Sequence, residues 1–327
     1  MTGFPTHIPV ARYRFTARMR VPLELPHYAG SLLRGQFGSA LRHITCMTRQ
    51  PTCAGCPLQS TCPYSRIFEA PAPPKGSHTL QKFSQIPNPY IMEPPPPSAR
   101  ALQAGEDFVF HIVLIGHARE QLALVLFALQ RALARGLTRE RADSDLQQVD
   151  YVDATGHVQT VWTHDNPILK EHQNTIELIA GDAHYTGDSS GLCLKIHTPM
   201  RLQNQGHPLG VAELTPRVLV SNLARRTALL MEFHADQKEW GESTKHIAQL
   251  SQTLSDTRQL RWYDWTRYSS RQRQEMKLGG VLGSWILHGD AAVLSQIYPW
   301  LWLGQWLHIG KNATFGMGAY SLCANHK

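Results

Sequence analysis

The chain has 327 residues, more than one domain usually holds, so two domains are expected. Lysine and arginine outnumber aspartate and glutamate by seven, the isoelectric point is about 9.2, and seventeen histidines add charge as the pH falls; such a balance favours an acidic partner, above all nucleic acid. Met1–Arg20 has no apolar run of the signal-peptide kind, and stretches such as Leu122–Leu129 are too short to cross a bilayer, so the expectation is a cytoplasmic protein with no membrane partner and with reduced cysteines.

Val10 to Val21 alternates apolar and basic residues as a strand does. It sets Arg12, Arg14, Arg18 and Arg20 on one face, either as a basic strip for a polyanion or as an ordinary solvated sheet face. Pro26 and Gly30 then introduce a helix over Ser31–Ile44, with Leu32, Leu33, Phe37, Ala40, Leu41 and Ile44 on one side. A cysteine-rich knot, Cys46–Cys62, follows, and the prolines at 71–74 and 94–97 mark loops or rigid turns. Asp107–Ile115 reads as a strand, Glu120–Leu133 as a helix stopped by Gly136, and Val149–Val161 as a hairpin around Ala154-Thr155-Gly156.

After Gly191 the pattern returns: a strand over Leu192–His197, a helix over Pro216–His234 bearing Arg225 and Arg226, and a strand rich in Trp and Tyr over Leu260–Tyr268. Lys277–Leu287 is laced with glycine, Trp300–Ile309 is apolar and aromatic, and Ala319–Cys323 is strand-like. Each half thus runs strand, helix, strands, which suits an α+β fold of two tandem ferredoxin-like domains with a cysteine-rich insertion after the first helix. The expected division is 1–185, carrying the knot at 46–62, and 186–327, carrying a glycine-rich loop at 310–318.

That loop reads Gly310-Lys311-Asn312-Ala313-Thr314-Phe315-Gly316-Met317-Gly318. Glycine lets backbone N–H groups turn toward a ligand, a concave run of N–H groups binds anions, and lysine adds a point charge. Phosphate is the expected ligand. The lysine follows the first glycine rather than the second, which rejects an ATPase loop; a plain turn between two strands is the competing interpretation. Upstream, Trp262, Tyr263, Trp265, Arg267, Tyr268, Arg271, Arg273 and Lys277 interleave rings and cations, as suits stacked bases and phosphates. On a strand, Arg261, Tyr263, Trp265 and Arg267 share one face and Trp262 and Tyr268 the other, so some of the rings belong to the core.

The segments Arg267–Gln272, Met276–Gly283 and His308–Gly318 resemble the C-terminal half of the CRISPR-associated Cas-six family, RAMP-superfamily endoribonucleases that cut precursor CRISPR RNA at each repeat. Leu33-Arg34-Gly35-Gln36-Phe37-Gly38, followed by the knot, resembles that family's larger branch. The resemblance implies two ferredoxin-like domains and RNA-backbone contacts from Gly310, Lys311, Asn312, Thr314, Gly316 and Gly318, with Arg267 and Arg271 beside them. It implies metal-independent cleavage, in which the RNA's own 2′-hydroxyl attacks the adjacent phosphate to leave a 2′,3′-cyclic phosphate and a 5′-hydroxyl. It implies His43 near the end of the first helix as acid or base, Tyr28 before that helix as its partner, and Arg49 as the charge stabiliser, where several relatives carry lysine. His27 and His308 are the competing histidines, and a plain surface histidine at a helix C-terminus is the bland alternative for His43. CRISPR repeat RNA and its mature product are the implied partners, together with other Cas effector-complex subunits; a non-catalytic RNA-binding subunit of such a complex is the rival function.

The knot, Cys46-x6-Cys53-x2-Cys56-x5-Cys62, has enough thiols and one pair at the spacing that wraps zinc tetrahedrally. A structural zinc is the expectation, since four cysteines leave no open position for a reactive water; four reduced thiols packed in a loop is the alternative.

Overall fold

The computed structural model describes residues 4, 7–71, 73, 86–96, 101–177, 191–269 and 274–323, with the backbone alone at 242, 266–269 and 274–277. The chain divides into two compact units, one formed by Pro9–Ile176 with Leu229–Asp236, the other by Glu177–Ala228, Gln237 onward and the strand residues His7–Ile8. The change of unit falls at Ile176/Glu177; the expected boundary at 185/186 lies outside the described residues.

The first unit contains β1 (Val10–Met19), α1 (Gly30–Thr45), α2 (Pro63–Phe68), β2 (Tyr90–Glu93), β3 (Asp107–Ile115), α3 (Leu122–Arg135), β4 (Ser144–Val152) and β5 (Val158–Thr163). Its antiparallel sheet has the order β2-β3-β1-β4-β5. With α1 between β1 and β2 and α3 between β3 and β4, this is the ferredoxin-like β-α-β-β-α-β unit with one strand added at the edge. Strand alternation sends Ala11, Tyr13, Phe15, Ala17 and Met19 to the core, where Phe15 stacks on its cross-strand neighbour Phe110 at 5.4 Å. Leu33, Phe37, Ala40 and Leu41 form the buried stripe of α1, and Val125, Leu129, Ala132 and Leu133 that of α3.

The other face of β1 corrects one expectation. The basic strip is neutralised: Arg12 meets Glu93 at 2.7 Å, Arg14 meets Asp150 at 2.8 Å, Arg18 meets Asp107 at 2.6 Å, and Arg20 meets Asp145 at 2.6 Å. His111, opposite both Arg14 and Glu93 in the sheet, sits in this array, and burial, with help from Arg12, pulls its pKa down to about 4. The folded protein therefore holds His111 neutral, whereas the unfolded chain protonates it below about pH 6.5. Stability from this residue is intact above that pH and is lost as the pH falls toward 4. Urea titrations at pH 7 and pH 4.5 are expected to show a loss that His111→Gln reduces by roughly 2 kcal/mol; an equal loss in both proteins refutes this.

The second unit contains β6 (Leu192–Met200), α4 (Pro216–Ala235), α5 (Trp240–Leu250), β7 (Ser255–Ser269), β8 (Gln274–His288), α6 (Ala291–Leu307) and β9 (Tyr320–Leu322). Its sheet order is β7-β8-β6-β9, antiparallel throughout, which repeats the ferredoxin-like plan with α5 inserted. Leu229–Ala235 of α4 belongs to the first unit, so this helix is shared between the two. The β7–β8 hairpin pairs from Ser255↔His288 to Ser269↔Gln274, longer at its start than the sequence reading. The aromatic run from Trp300 is the second half of α6, which keeps Pro299 inside it. Among the described residues no helix is long and apolar enough to cross a membrane.

Candidate nucleic-acid interface

The glycine loop is a braced turn. α6 ends at Leu307, and His308 turns the chain out of the helix at φ 51°. The Arg226 guanidinium caps that end, its Nε donating to the carbonyls of Leu307 at 2.9 Å and His308 at 3.1 Å. Arg226 is half-buried, and desolvation of its guanidinium pulls its pKa down to about 10. This arginine is a helix cap of the second unit and not an RNA contact. His308 is likewise excluded as an acid or base open to substrate: it is 1% exposed, with Nδ1 3.2 Å from the Met317 carbonyl.

From Gly310 onward the loop is tied to the end of β6. The Lys311 N–H donates to Arg201 O at 2.8 Å, and a Cβ at Gly310 would meet that same oxygen at 2.4 Å. The Thr198 hydroxyl donates to Gly316 O at 2.7 Å and accepts the Ala319 N–H at 2.8 Å. The Gly318 N–H donates to Pro199 O at 3.1 Å, and its carbonyl accepts the Ile309 N–H at 3.1 Å. Ala313, Phe315 and Met317 are buried, Asn312 and Thr314 half-buried, and Lys311 exposed. The glycines serve close packing, Gly316 and Gly318 being buried, and the surface this loop offers is Lys311 flanked by Asn312 and Thr314.

On the β7–β8 hairpin, Arg261 is exposed and lies 6.0 Å from the Tyr263 ring centre. Trp265 is buried, as a core ring. Arg267 pairs with Met276 through its backbone; its side chain, and Arg271 altogether, lie outside what is described.

In the first unit α1 separates the expected catalytic residues. Tyr28 is half-buried and His27 exposed just before the helix; His43 is in its last turn and Arg49 just beyond, both exposed. A rise of about 1.5 Å per residue sets Tyr28 and His43 roughly 20 Å apart along the axis. The three residues therefore do not surround one phosphate: His43 and Arg49 share one end of α1 and Tyr28 stands at the other. Arg34 is also structural, its guanidinium 4.2 Å above the Phe68 ring.

The four knot cysteines and Arg42 line one small pocket. Arg42 donates to the carbonyls of Gln50 and of Pro51, the latter at 3.0 Å, which holds its guanidinium in this corner. Cys46 is an activated thiol: partial desolvation opposes ionisation, but the Arg49 amide, the Thr48 hydroxyl and Arg42 outweigh it and hold the pKa below the ordinary value. Cys53 moves the other way, raised by desolvation and Glu69. Among the described residues no group of three or more His, Cys, Asp or Glu converges to hold a metal. The expected structural zinc is thus unsupported.

Sequence reasoning missed two features. Arg201, which donates to Gly279 O at 2.9 Å while its carbonyl receives the glycine loop, has no local signature. His117 and His234 lie with ring centres 5.2 Å apart, and His117 lines a polar pocket with Arg66, Glu120 and Gln121; burial and Arg66 hold its imidazole below the usual pKa.

Two families match the chain. One, described only as the AF_1859_N N-terminal domain, covers residues 8–174; the other, described as CRISPR-associated endoribonuclease Cas6, covers residues 194–320. Among solved structures a Cas6 product complex aligns with a TM-score of 0.57 at 14% identity, over 96% of this chain and 100% of that one. Thermus thermophilus Cas6 aligns with a TM-score of 0.52 at 12% identity, over 98% and 100%. A partial Cas6-RT-Cas1--Cas2 complex aligns with a TM-score of 0.56 at 12% identity, over 99% of this chain and 48% of that one. At these identities the likeness is one of fold. No curated protein matches.

Proposed function

We propose that this chain, which matches the CRISPR-associated endoribonuclease Cas6 family over residues 194–320 and the AF_1859_N N-terminal domain over residues 8–174, binds CRISPR repeat RNA and cleaves it to mature crRNA. The 2′-hydroxyl upstream of the cut attacks its own phosphate, a general base takes its proton, a general acid protonates the leaving 5′-oxygen, and a cation stabilises the phosphorane. His43 is the proposed acid or base, since imidazole changes charge near neutral pH, and Arg49 the cation. The nucleophile comes from the RNA itself, so the step needs no metal. Lys311, Asn312 and Thr314 hold the backbone, with Arg267 and Arg271 as further contacts.

The observation that carries the reading is the family match across residues 194–320, which includes a loop whose buried glycines leave Lys311 exposed. Incubation with repeat RNA in EDTA tests it. Fragments ending in a 2′,3′-cyclic phosphate, abolished by a 2′-deoxy substitution upstream of the cut, are the expected result. Tight binding without fragments would replace it with the second reading, a non-catalytic crRNA-binding subunit, which the separation of Tyr28 from His43 favours.

Lys311→Ala is expected to weaken RNA binding and to reduce the slope of log affinity against log salt by about 0.7–0.9, one phosphate contact. An unchanged slope would return the loop to a plain turn.

A further inference from the structure

We propose that Trp262 is a base-stacking platform, taking an unpaired nucleobase from the same RNA strand whose phosphate lies at Lys311. The proposal rests on the RNA-binding reading and adds to it a residue and a substrate feature. Of the eight tryptophans, Trp262 is the exposed one, at 36%. A lone exposed ring is ordinary, but this ring is held. Its Nε1–H donates to Asp264 Oδ1 at 2.8 Å. Its six-membered ring lies against Gly279 of β8, where a Cβ would fall 2.5 Å from Cζ2 and 2.3 Å from the same Asp264 oxygen. Only a residue without a side chain leaves room for this arrangement. The indole is thus fixed against a backbone floor while about a third of the residue stays in water, and a ring fixed before binding loses little freedom when a base stacks on it.

The position fits the ligand. The Gly279 carbonyl accepts Arg201 Nη1 at 2.9 Å, and the Arg201 carbonyl accepts the Lys311 N–H at 2.8 Å. Three contacts within one compact unit therefore link the ring to the exposed lysine. A base pair inside a helix has both faces covered by its neighbours, whereas an unpaired base offers a free face to this ring.

The test uses the full-length protein, a hairpin RNA with a single-stranded 5′ flank, and the same RNA with abasic sites in that flank. Trp262→Leu is expected to weaken binding of the base-bearing RNA by about tenfold or more. Its binding to the abasic RNA and its salt slope should match wild type, because no charge is removed, and Trp262→Tyr should recover most of the loss. Asp264→Ala, which frees the indole, should give part of the same loss. Wild-type affinity of Trp262→Leu for the base-bearing RNA, or an equal loss on the abasic RNA, overturns the platform while the RNA-binding reading stands. A wild-type protein with no salt-dependent affinity for either RNA overturns both.

Discussion

His43→Ala is expected to slow single-turnover cleavage of repeat RNA by about 10²- to 10⁴-fold, the usual loss when a positioned proton carrier is removed. RNA affinity should stay at the wild-type value, because the proposed backbone contacts lie in the other compact unit. Geometry sharpens the comparison. His27 and Tyr28 stand before α1 and His43 in its last turn, so the two ends of one helix offer alternative sites roughly 20 Å apart. Tyr28→Phe and His27→Ala should therefore leave the cleavage rate close to wild type if the reaction occurs at the His43 end. Arg49→Ala should slow cleavage and Arg49→Lys should retain part of the rate, since the proposed role asks only for positive charge near the phosphorane. A His43→Ala protein that cuts at near-normal speed, beside a His27→Ala protein that does not, would move the chemistry to the opposite end of the helix.

Gly318→Ala is expected to destabilise the second unit by about 3 kcal/mol or more, with a fall in melting temperature of about 10 °C. Gly318 sits at φ +74°, and a Cβ there would fall 1.9 Å from the Ile309 carbonyl oxygen. The new methyl would force apart two backbone segments joined by the Ile309 N–H to Gly318 O bond. Gly156→Ala separates conformational cost from collision: its φ is +88° with no atom within 4 Å of the added Cβ, so about 1 kcal/mol is expected from backbone conformation alone. Thermal unfolding followed by circular dichroism reads both variants. Equal losses would mean that the loop yields to the added methyl, and the account of it as a braced mount for Lys311 would be wrong. RNA affinity of Gly318→Ala, measured well below its melting temperature, should fall with the loss of that mount.

Much of the architecture was legible in the sequence because its signals are local. The alternation over Val10–Met19 and the stripe Leu33, Phe37, Ala40, Leu41 each arise within a few residues of chain, since a strand repeats every two residues and a helix every 3.6. The long hairpin was half visible: its aromatic centre stood out, but its start at Ser255 has no such composition. β2 was not visible, because four residues between prolines carry too little pattern to read, and only pairing with β3 makes Tyr90–Glu93 a strand.

The site residues divide along the same line. The order of residues alone determined the run of strands and helices, the family resemblance, and the presence of a glycine-rich loop carrying Lys311. The tertiary structure alone decided which charges are available. Arg12, Arg14 and Arg18 meet acids 81, 136 and 89 residues away, Arg226 disappears into the end of α6, and Trp262 is held over a glycine from the opposite strand. A side chain's own identity states what it can bind; whether that capacity is already used depends on partners brought in by sheet pairing and helix packing, which no window of neighbouring residues contains.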